Sequence, residues 1–418
     1  MWERISLPLP SDQVQGFAVS PRDPATLFAC TATLPPPVPD DPFASAQAAT
    51  PQPFGLWRST DAGAHWAQFA PLDARGMSCA FSIAPDDPRR ITFQVSQIAP
   101  GEHLCGQESF YLSTDGGASW RSLPHHSIAP AGVSDGWCEL HVSAHHLFLL
   151  YVFPQTSATG TPQISLLERS DDDGTTWTRA DGGMGEHALY FMPQIGPGET
   201  LAVTVIHLSG MPATPSPNAP LGTELWTSPD AGRTWTRAAA LPEQPDTFLW
   251  SAPPQSGRRW PNAAHPFYVL QTEQIPSELY RESVLASGDA QHWALVPPLP
   301  VPGTDSEHWG ILQALAALPD GRLAVWGADP QAGVPAEGHG ADPMRAFWLW
   351  LWDPVQAQWQ QVATPLDVAA HEGCNFCWQV QAVSTQDGAQ CLYVEDLFEA
   401  QYYSLQDVGM WRMCMPRG

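Results

Sequence analysis

One eight-residue phrase, Ser-x-Asp-x-Gly-x-x-Trp, constrains this chain more than any other feature, because it occurs four times in succession. The copies are Ser59, Asp61, Gly63, Trp66; Ser113, Asp115, Gly117, Trp120; Ser170, Asp172, Gly174, Trp177; and Ser228, Asp230, Gly232, Trp235. Each residue type has a task in a tight turn. The Asp carboxylate accepts hydrogen bonds from backbone N–H groups, and the Gly takes positive φ without a Cβ clash. The Trp covers the turn with a large apolar ring whose N–H still needs a partner. A fixed repeat in 418 residues argues for one array rather than two or three unrelated domains.

The phrase resembles the Asp box, or BNR repeat, of sialidase-like β-propellers. The resemblance is carried by the four copies over residues 54–235 and by periodicity elsewhere. Around the boxes, short runs rich in Val, Ile, Phe, Tyr and Trp alternate with Pro/Gly/Asp turns, which are strand signals, and no run reads as a helix. The first unit has strands at 15–20, 26–33 and 54–60, with a Pro/Ala-rich segment at 34–53. The second has strands at 78–84, 90–98 and 108–114. The third has them at 139–143, 147–153 and 163–170, and the fourth at 187–192, 200–207 and 224–228.

Beyond Trp235 the phrase decays. Ser287-Gly288-Asp289 to Trp293 is one residue short, Asp353-Pro354 to Trp359 keeps the turn and the Trp, and Asp407-Val408-Gly409-Met410-Trp411 brings the Trp forward. From Trp66 the spacings are 54 to Trp120, 57 to Trp177, 58 to Trp235, 58 to Trp293, 66 to Trp359 and 52 to Trp411. Trp2-Glu3-Arg4-Ile5-Ser6-Leu7-Pro8 looks like Trp120-Arg121-Ser122-Leu123-Pro124 and lies 64 residues before Trp66. Eight equivalent Trp positions give seven intervals, so the chain ends overlap in the repeat frame. Closing a ring by joining first and last strands needs such an overlap, and closure removes sheet edges. The expectation is an all-β, seven-bladed propeller of four-stranded antiparallel blades. The blades fall near 9–70, 71–124, 125–181, 182–241, 242–299, 300–365 and 366–418, with 2–8 at the seam.

The resemblance implies that the boxes are structural and lie on the rim away from the ligand face. It also implies that the first strand of each blade lines the channel. Sialidases of this superfamily add an Arg triad that grips a carboxylate, a Tyr–Glu pair and an Asp acid/base. Their Arg-Ile-Pro signature is missing here, where Arg4-Ile5-Ser6 stands instead. Arg58, Arg169 and Arg281 fall at or just before boxes, so sialoside cleavage is not expected. A count of seven is closer to photosystem II assembly factor propellers, which have no known chemistry, and to one half of the two-propeller oligoxyloglucan hydrolases.

Composition narrows the partners. The net charge is −25, and all 18 basic residues are Arg, so phosphate backbones and anionic membranes are poor partners. No apolar run reaches the ~18 residues that span a bilayer. No leader is visible at Met1-Trp2-Glu3-Arg4-Ile5, which leaves a cytoplasmic protein or a secreted one whose leader was removed. A monomer is expected.

The approaches to the first strands carry Trp137, Cys138 and Glu139; Glu186 and His187; Asp246; Glu307, His308 and Trp309; and His371 and Glu372. Five blades thus present carboxylates at one slot, three of them beside a His. Glu139, Asp246, Glu307 and Glu372 are candidate acids or nucleophiles, since glycoside hydrolysis uses two carboxylates with separated pKa values. Trp137, Glu186, His187, His308, Trp309 and His371 are candidate ligand contacts. No cofactor is expected, although His with carboxylates suits a divalent cation in the funnel. The plainer reading is polar residues facing water. Trp250, Trp260, Trp326, Trp348, Trp350 and Trp378 offer sugar-stacking surface or core.

His371-x-x-Cys374-x-x-Cys377 resembles half of a zinc site without its other half, so buried thiols or a disulfide are the expectation for the eight Cys. His125-His126 and His145-His146 are expected on the surface. Function is expected to be carbohydrate-related, hydrolase-like or lectin-like; the alternative is a non-enzymatic scaffold for a protein partner.

Overall fold

The four repeated turns fold alike. In the computed structural model, Oδ1 of the Asp accepts the N–H four residues on: His65 to Asp61, Ser119 to Asp115, Thr176 to Asp172 and Thr234 to Asp230, all at 2.7–2.8 Å. The other carboxylate oxygen takes a side-chain partner from that same residue. The leading serine completes the turn. Ser59 Oγ accepts the Gly63 N–H at 2.8 Å and donates to Asp61, and Ser113, Ser170 and Ser228 repeat both bonds. Gly63, Gly117, Gly174 and Gly232 have φ of 90, 89, 85 and 79°. The residue before each of them is left-handed too: Ala62, Gly116, Asp173 and Ala231.

The structure describes residues 2–6, 14–31, 52–53, 55–68, 75–76, 78–96, 108–124, 137–153, 164–182, 184, 188–195, 197–207, 222–237, 247–250, 267–274, 280–287, 294–297, 311–318, 322–328, 347–362, 378–384, 390–396 and 410–415. These form seven four-stranded antiparallel sheets and one two-stranded pair, Gln52–Pro53 with Arg75–Gly76. The chain is all-β. In order, the sheets are Val14–Val19, Leu27–Thr31, Gly55–Ser59, Ala67–Gln68; Ser78–Ile83, Ile91–Ser96, Glu108–Ser113, Arg121–Ser122; Trp137–Val142, Leu147–Phe153, Ile164–Ser170, Thr178–Arg179; and Ala188–Ile195, Leu201–His207, Gly222–Ser228, Thr236–Arg237. The fifth and sixth are Thr247–Trp250, Phe267–Gln274, Tyr280–Ser287, Ala294–Leu295 and Ile311–Ala317, Leu323–Ala328, Phe347–Asp353, Gln358–Val362. In the seventh, Trp378–Ser384, Gln390–Asp396 and Met410–Met415 are joined by Trp2–Ile5 from the other end of the chain. That strand pairs Trp2 with Met413 and Ile5 with Met410. The repeated turns join third to fourth strands.

Inner strands such as Leu27–Thr31 are buried on both faces, as are Leu147 to Val152, and apolar faces of neighbouring sheets pack together. Phe28 and Leu56 meet Phe81 and Phe93 between the first two sheets, and Phe110 and Leu112 meet Leu140 and Leu149 between the next two. Leu150 and Leu167 meet Val203 and Val205, while Val284 and Tyr268 meet Val325 and Trp350. The seventh sheet packs back on the first, where Ile5, Cys391 and Tyr393 cluster with Phe17, Val19 and Leu27. Trp350 and Trp352 are core.

The turns also bind neighbouring sheets. Trp66 Nε1–H donates to Ser6 O at 2.6 Å, Trp235 to Ala180 O at 2.5 Å and Trp359 to Pro297 O at 2.7 Å. Each acceptor follows the fourth strand of the preceding sheet, so Trp2–Ile5 fills that slot for the first sheet. Trp120 differs, donating to Gly117 O of its own turn at 3.1 Å. Arg90 ties the second sheet to the third through Ser143 O at 3.1 Å and Asp173 Oδ1 at 2.7 Å.

Pro197–Glu199 forms a tight turn in which Gly198 and Glu199 are left-handed, both at φ 63°. One expectation changes. His146 is not a surface residue: it is 9% exposed, with Nε2 2.9 Å from Glu199 Oε2 and Nδ1 3.0 Å from Asp171 Oδ1. Burial pushes its pKa down against the pull of both carboxylates, and Arg169 and Arg233 add to the lowering. A turn position hid this, because Glu199 comes from the next sheet and Asp171 from the far turn of its own. His145 is exposed as expected; His125 and His126 lie outside the described residues.

Candidate functional site

Among the residues nominated from sequence, Trp137, Cys138 and Glu139 fall in the described structure. Glu186, His187, Asp246, Glu307, His308, Trp309, His371 and Glu372 lie outside the described residues, as do Cys374 and Cys377. The strand begins at Trp137, so Glu139 sits inside it, opposite Leu150.

Trp137–Val142 is an edge strand of its sheet, and its free backbone groups need partners. The second sheet supplies them with side chains. Gln94 donates from Nε2 to Cys138 O at 2.7 Å and accepts the Leu140 N–H on Oε1 at 3.2 Å. These two bonds grip the peptide groups on either side of Glu139. Further along, Val142 N–H donates to Ser82 Oγ at 3.3 Å.

Alternation then divides the strand. Cys138, Leu140 and Val142 enter the core shared with the second sheet. Glu139 and His141 share the other face, where Oε2 of Glu139 is 3.3 Å from Nε2 of His141. Their side chains are 26% and 10% exposed, so Glu139 is the member that solvent or ligand reaches.

Behind Cys138 lies an acid that sequence reasoning missed. Glu108 opens the strand Glu108–Ser113, shares its inward face with Phe110 and Leu112, and is 5% exposed. Burial pushes its pKa to about 8; a hydrogen bond from Gln94 opposes the rise and the charge of Glu139 adds to it. Its Oε1 is buried with no hydrogen-bond partner among the described residues. Its Oε2 lies 2.6 Å from Cys138 Sγ. Cys138 is disulfide-bonded. A disulfide sulfur has no proton to give, so a protonated Glu108 carboxyl is the form that satisfies this contact. Glu168, 5% exposed, and Tyr151, 2% exposed, are buried on the same side of the third sheet. Burial, then the charges of Glu168 and Glu108, push the Tyr151 hydroxyl well up.

A buried, protonated acid and an accessible carboxylate therefore lie on opposite faces of the strand Trp137–Val142, with the carboxylate beside a histidine. The accessible Glu139 can accept hydrogen bonds from hydroxyl groups. The signal for Glu108 was present in its strand, where Glu-x-Phe-x-Leu puts an acid on a core face. Among the described residues, no group of three His, Cys, Asp or Glu could hold a metal ion. No helix among them is long and apolar enough to cross a membrane.

No family model matches the chain, and no curated protein sequence is similar to it. Similar solved structures include YCF48 bound to a D1 peptide, at 13% identity and TM-score 0.48 over 98% of this chain and 96% of that one. YCF48 from Cyanidioschyzon merolae is 11% identical, with TM-score 0.44 over 98% of each chain. The α-L-arabinofuranosidase Arb93A from Fusarium graminearum, in complex with an iminosugar inhibitor, is 15% identical, with TM-score 0.39 over 78% of this chain and 92% of that one.

Proposed function

We propose that the chain is a closed, seven-bladed propeller that binds a carbohydrate where the first strands begin, with Glu139 as a ligand contact. Support for the ring comes from the seating of Trp2–Ile5 in the seventh sheet and from the packing of that sheet on the first. The single observation behind the site is Glu139 itself. Its flanking peptides are fixed by Gln94, its carboxylate is oriented by His141, and a buried acid stands behind its strand. Carboxylates bind sugars by accepting hydroxyl hydrogen bonds, and Trp faces stack on them. Asp246, Glu307 and Glu372 are the proposed further carboxylates of the ring. Glu186, His187, His308, Trp309 and His371 complete it, and Trp137 lies two residues before Glu139.

The test is a glycan-binding screen alongside an aryl-glycoside hydrolysis panel, run on the wild type and Glu139→Gln. The expected result is binding to at least one neutral glycan, weakened tenfold or more in the variant at unchanged melting temperature. Full binding by the variant, or no glycan bound at all, overturns the proposal. A protein partner on this face would then replace it.

A further inference from the structure

We propose that the Cys391–Cys414 disulfide is a thiol-exchange site: a dithiol reductant opens it before the other described disulfides, and this loosens the strand that seats Trp2–Ile5. The two cysteines lie directly opposite each other on Gln390–Asp396 and Met410–Met415, 23 residues apart in sequence. Their surroundings differ sharply. Cys391 is 1% exposed, whereas Cys414 is exposed. In the described ladder Trp2–Ile5 lies opposite Met410 to Met413, the residues before Cys414. The Cys30–Cys79 bridge between the first two sheets has both cysteines buried, and Cys138 is buried as well.

Exchange begins when a thiolate attacks one sulfur, and access to that sulfur sets which bond reacts. At this site the attack falls on Cys414 Sγ. The S–S bond breaks, Cys391 leaves as a thiolate that takes up a proton, and the reductant is held on Cys414 as a mixed disulfide. The second thiol of the reductant then displaces Cys414, which is protonated in turn. The dithiol is oxidised to its disulfide, and two electrons and two protons pass to the protein.

The consequence follows from the position of Met410–Met415. It lies between Gln390–Asp396 and Trp2–Ile5, so both chain ends reach the sheet through it. Once the disulfide is open, backbone ladders, the Glu3–Arg412 ion pair and Arg4 over the Trp411 ring at 5.9 Å hold the strand. Losing the cross-link weakens the hold on this one strand while Ile5 stays packed against Phe17 and Leu27, so the response is local opening rather than global unfolding.

The experiment incubates the intact protein with graded dithiothreitol at pH 8, alkylates free thiols with iodoacetamide and maps the labelled peptides by mass spectrometry. Cys391 and Cys414 are expected to label at least tenfold faster than Cys30 and Cys79. Hydrogen exchange on the selectively reduced protein should quicken at least tenfold at Trp2–Ile5 and Met410–Met415 and hold steady at Ile91–Ser96. Equal or earlier labelling of Cys30 and Cys79, or unchanged exchange at Trp2–Ile5, overturns the proposal. A Cys391→Ser/Cys414→Ser double variant should show the same exchange pattern without reductant. If it fails to fold, the wild-type titration decides alone. None of these measurements involves a ligand.

Discussion

Glu108 and Asp115 stand at opposite ends of one strand, seven positions apart, and the fold treats the two carboxylates in opposite ways. Asp115 lies in an exposed turn. Bonds from the Ser119 side chain and backbone hold its pKa below the ordinary carboxylate value. Glu108 lies between two sheets with one oxygen unpartnered, and burial raises its pKa to about 8. The same contrast separates Asp61, Asp172 and Asp230 from Glu108, and Asp61 is lowered to about 2, chiefly by the His65 backbone bond. A carboxylate with its donors built into the turn is a structural part. One buried between sheets with an oxygen unpartnered is not a part of the turn at all, and its proton is the fold's to keep or lose.

The contrast is sharpest in the pH dependence of stability. The folded protein keeps the Glu108 proton up to about 8, while the unfolded chain releases it near the ordinary 4.5. Between those values the folded state binds more protons, so stability falls as pH rises across the window. The full cost is on the order of 5 kcal/mol. Glu108→Gln removes that slope. Urea unfolding at pH 5 and pH 8.5 should show the wild type losing stability relative to the variant across the window. Parallel slopes would mean that Glu108 is not the buried acid described here.

The turn end should respond to shape instead. A Cβ on Gly63 would stand 2.1 Å from Ile5 Cγ2, at φ +90°. Gly63→Ala is therefore expected to cost about 3 kcal/mol from strain and overpacking. A Cβ on Gly116, at φ +74°, meets nothing within 4 Å. Gly116→Ala should cost about 1 kcal/mol, from the left-handed backbone alone. Equal melting temperatures for the two variants would show that the Ile5 contact does not matter.

Much of this was legible in the chain because it is local. The Asp and Gly roles follow from the turn, and the strands at 147–153 and 201–207 follow from their apolar runs. Contacts between sheets were not legible. Nothing near His146 announces Glu199, and nothing near Glu139 announces Gln94, which is 45 positions earlier. Pairing of Cys30 with Cys79 and of Cys391 with Cys414 was equally silent, since spacing does not fix connectivity. Local phrases reveal the unit; what one unit lends to the next is visible only after folding.

The smallest effect asks how much of the turn end depends on the full phrase. In the sixth sheet the turn shrinks to Pro354–Ala357, yet Asp353 Oδ1 still accepts the Val355 N–H at 2.8 Å and the Gln356 N–H at 3.0 Å. Trp359 still reaches Pro297 O, as Trp235 reaches Ala180 O. Docking of the Trp thus survives without the leading serine, the glycine or the side-chain donor. Asp230 has more to lose. Desolvation raises its pKa, but bonds from the Thr234 backbone, the Thr234 hydroxyl and Ser228 outweigh it and leave the pKa lowered. That lowering stabilises the fold above the ordinary 3.8 and fades as pH drops below it. Asp230→Asn should cost about 1 kcal/mol at pH 7, a modest figure because water screens an exposed turn. Asp353→Asn, which disturbs two backbone bonds, should cost roughly half of that. Matched urea melts at pH 7 and pH 3 provide the check, and the Asp230→Asn deficit should narrow at pH 3. A larger loss for Asp353→Asn would show that the short turn, not the complete phrase, carries the greater share of stability at this end.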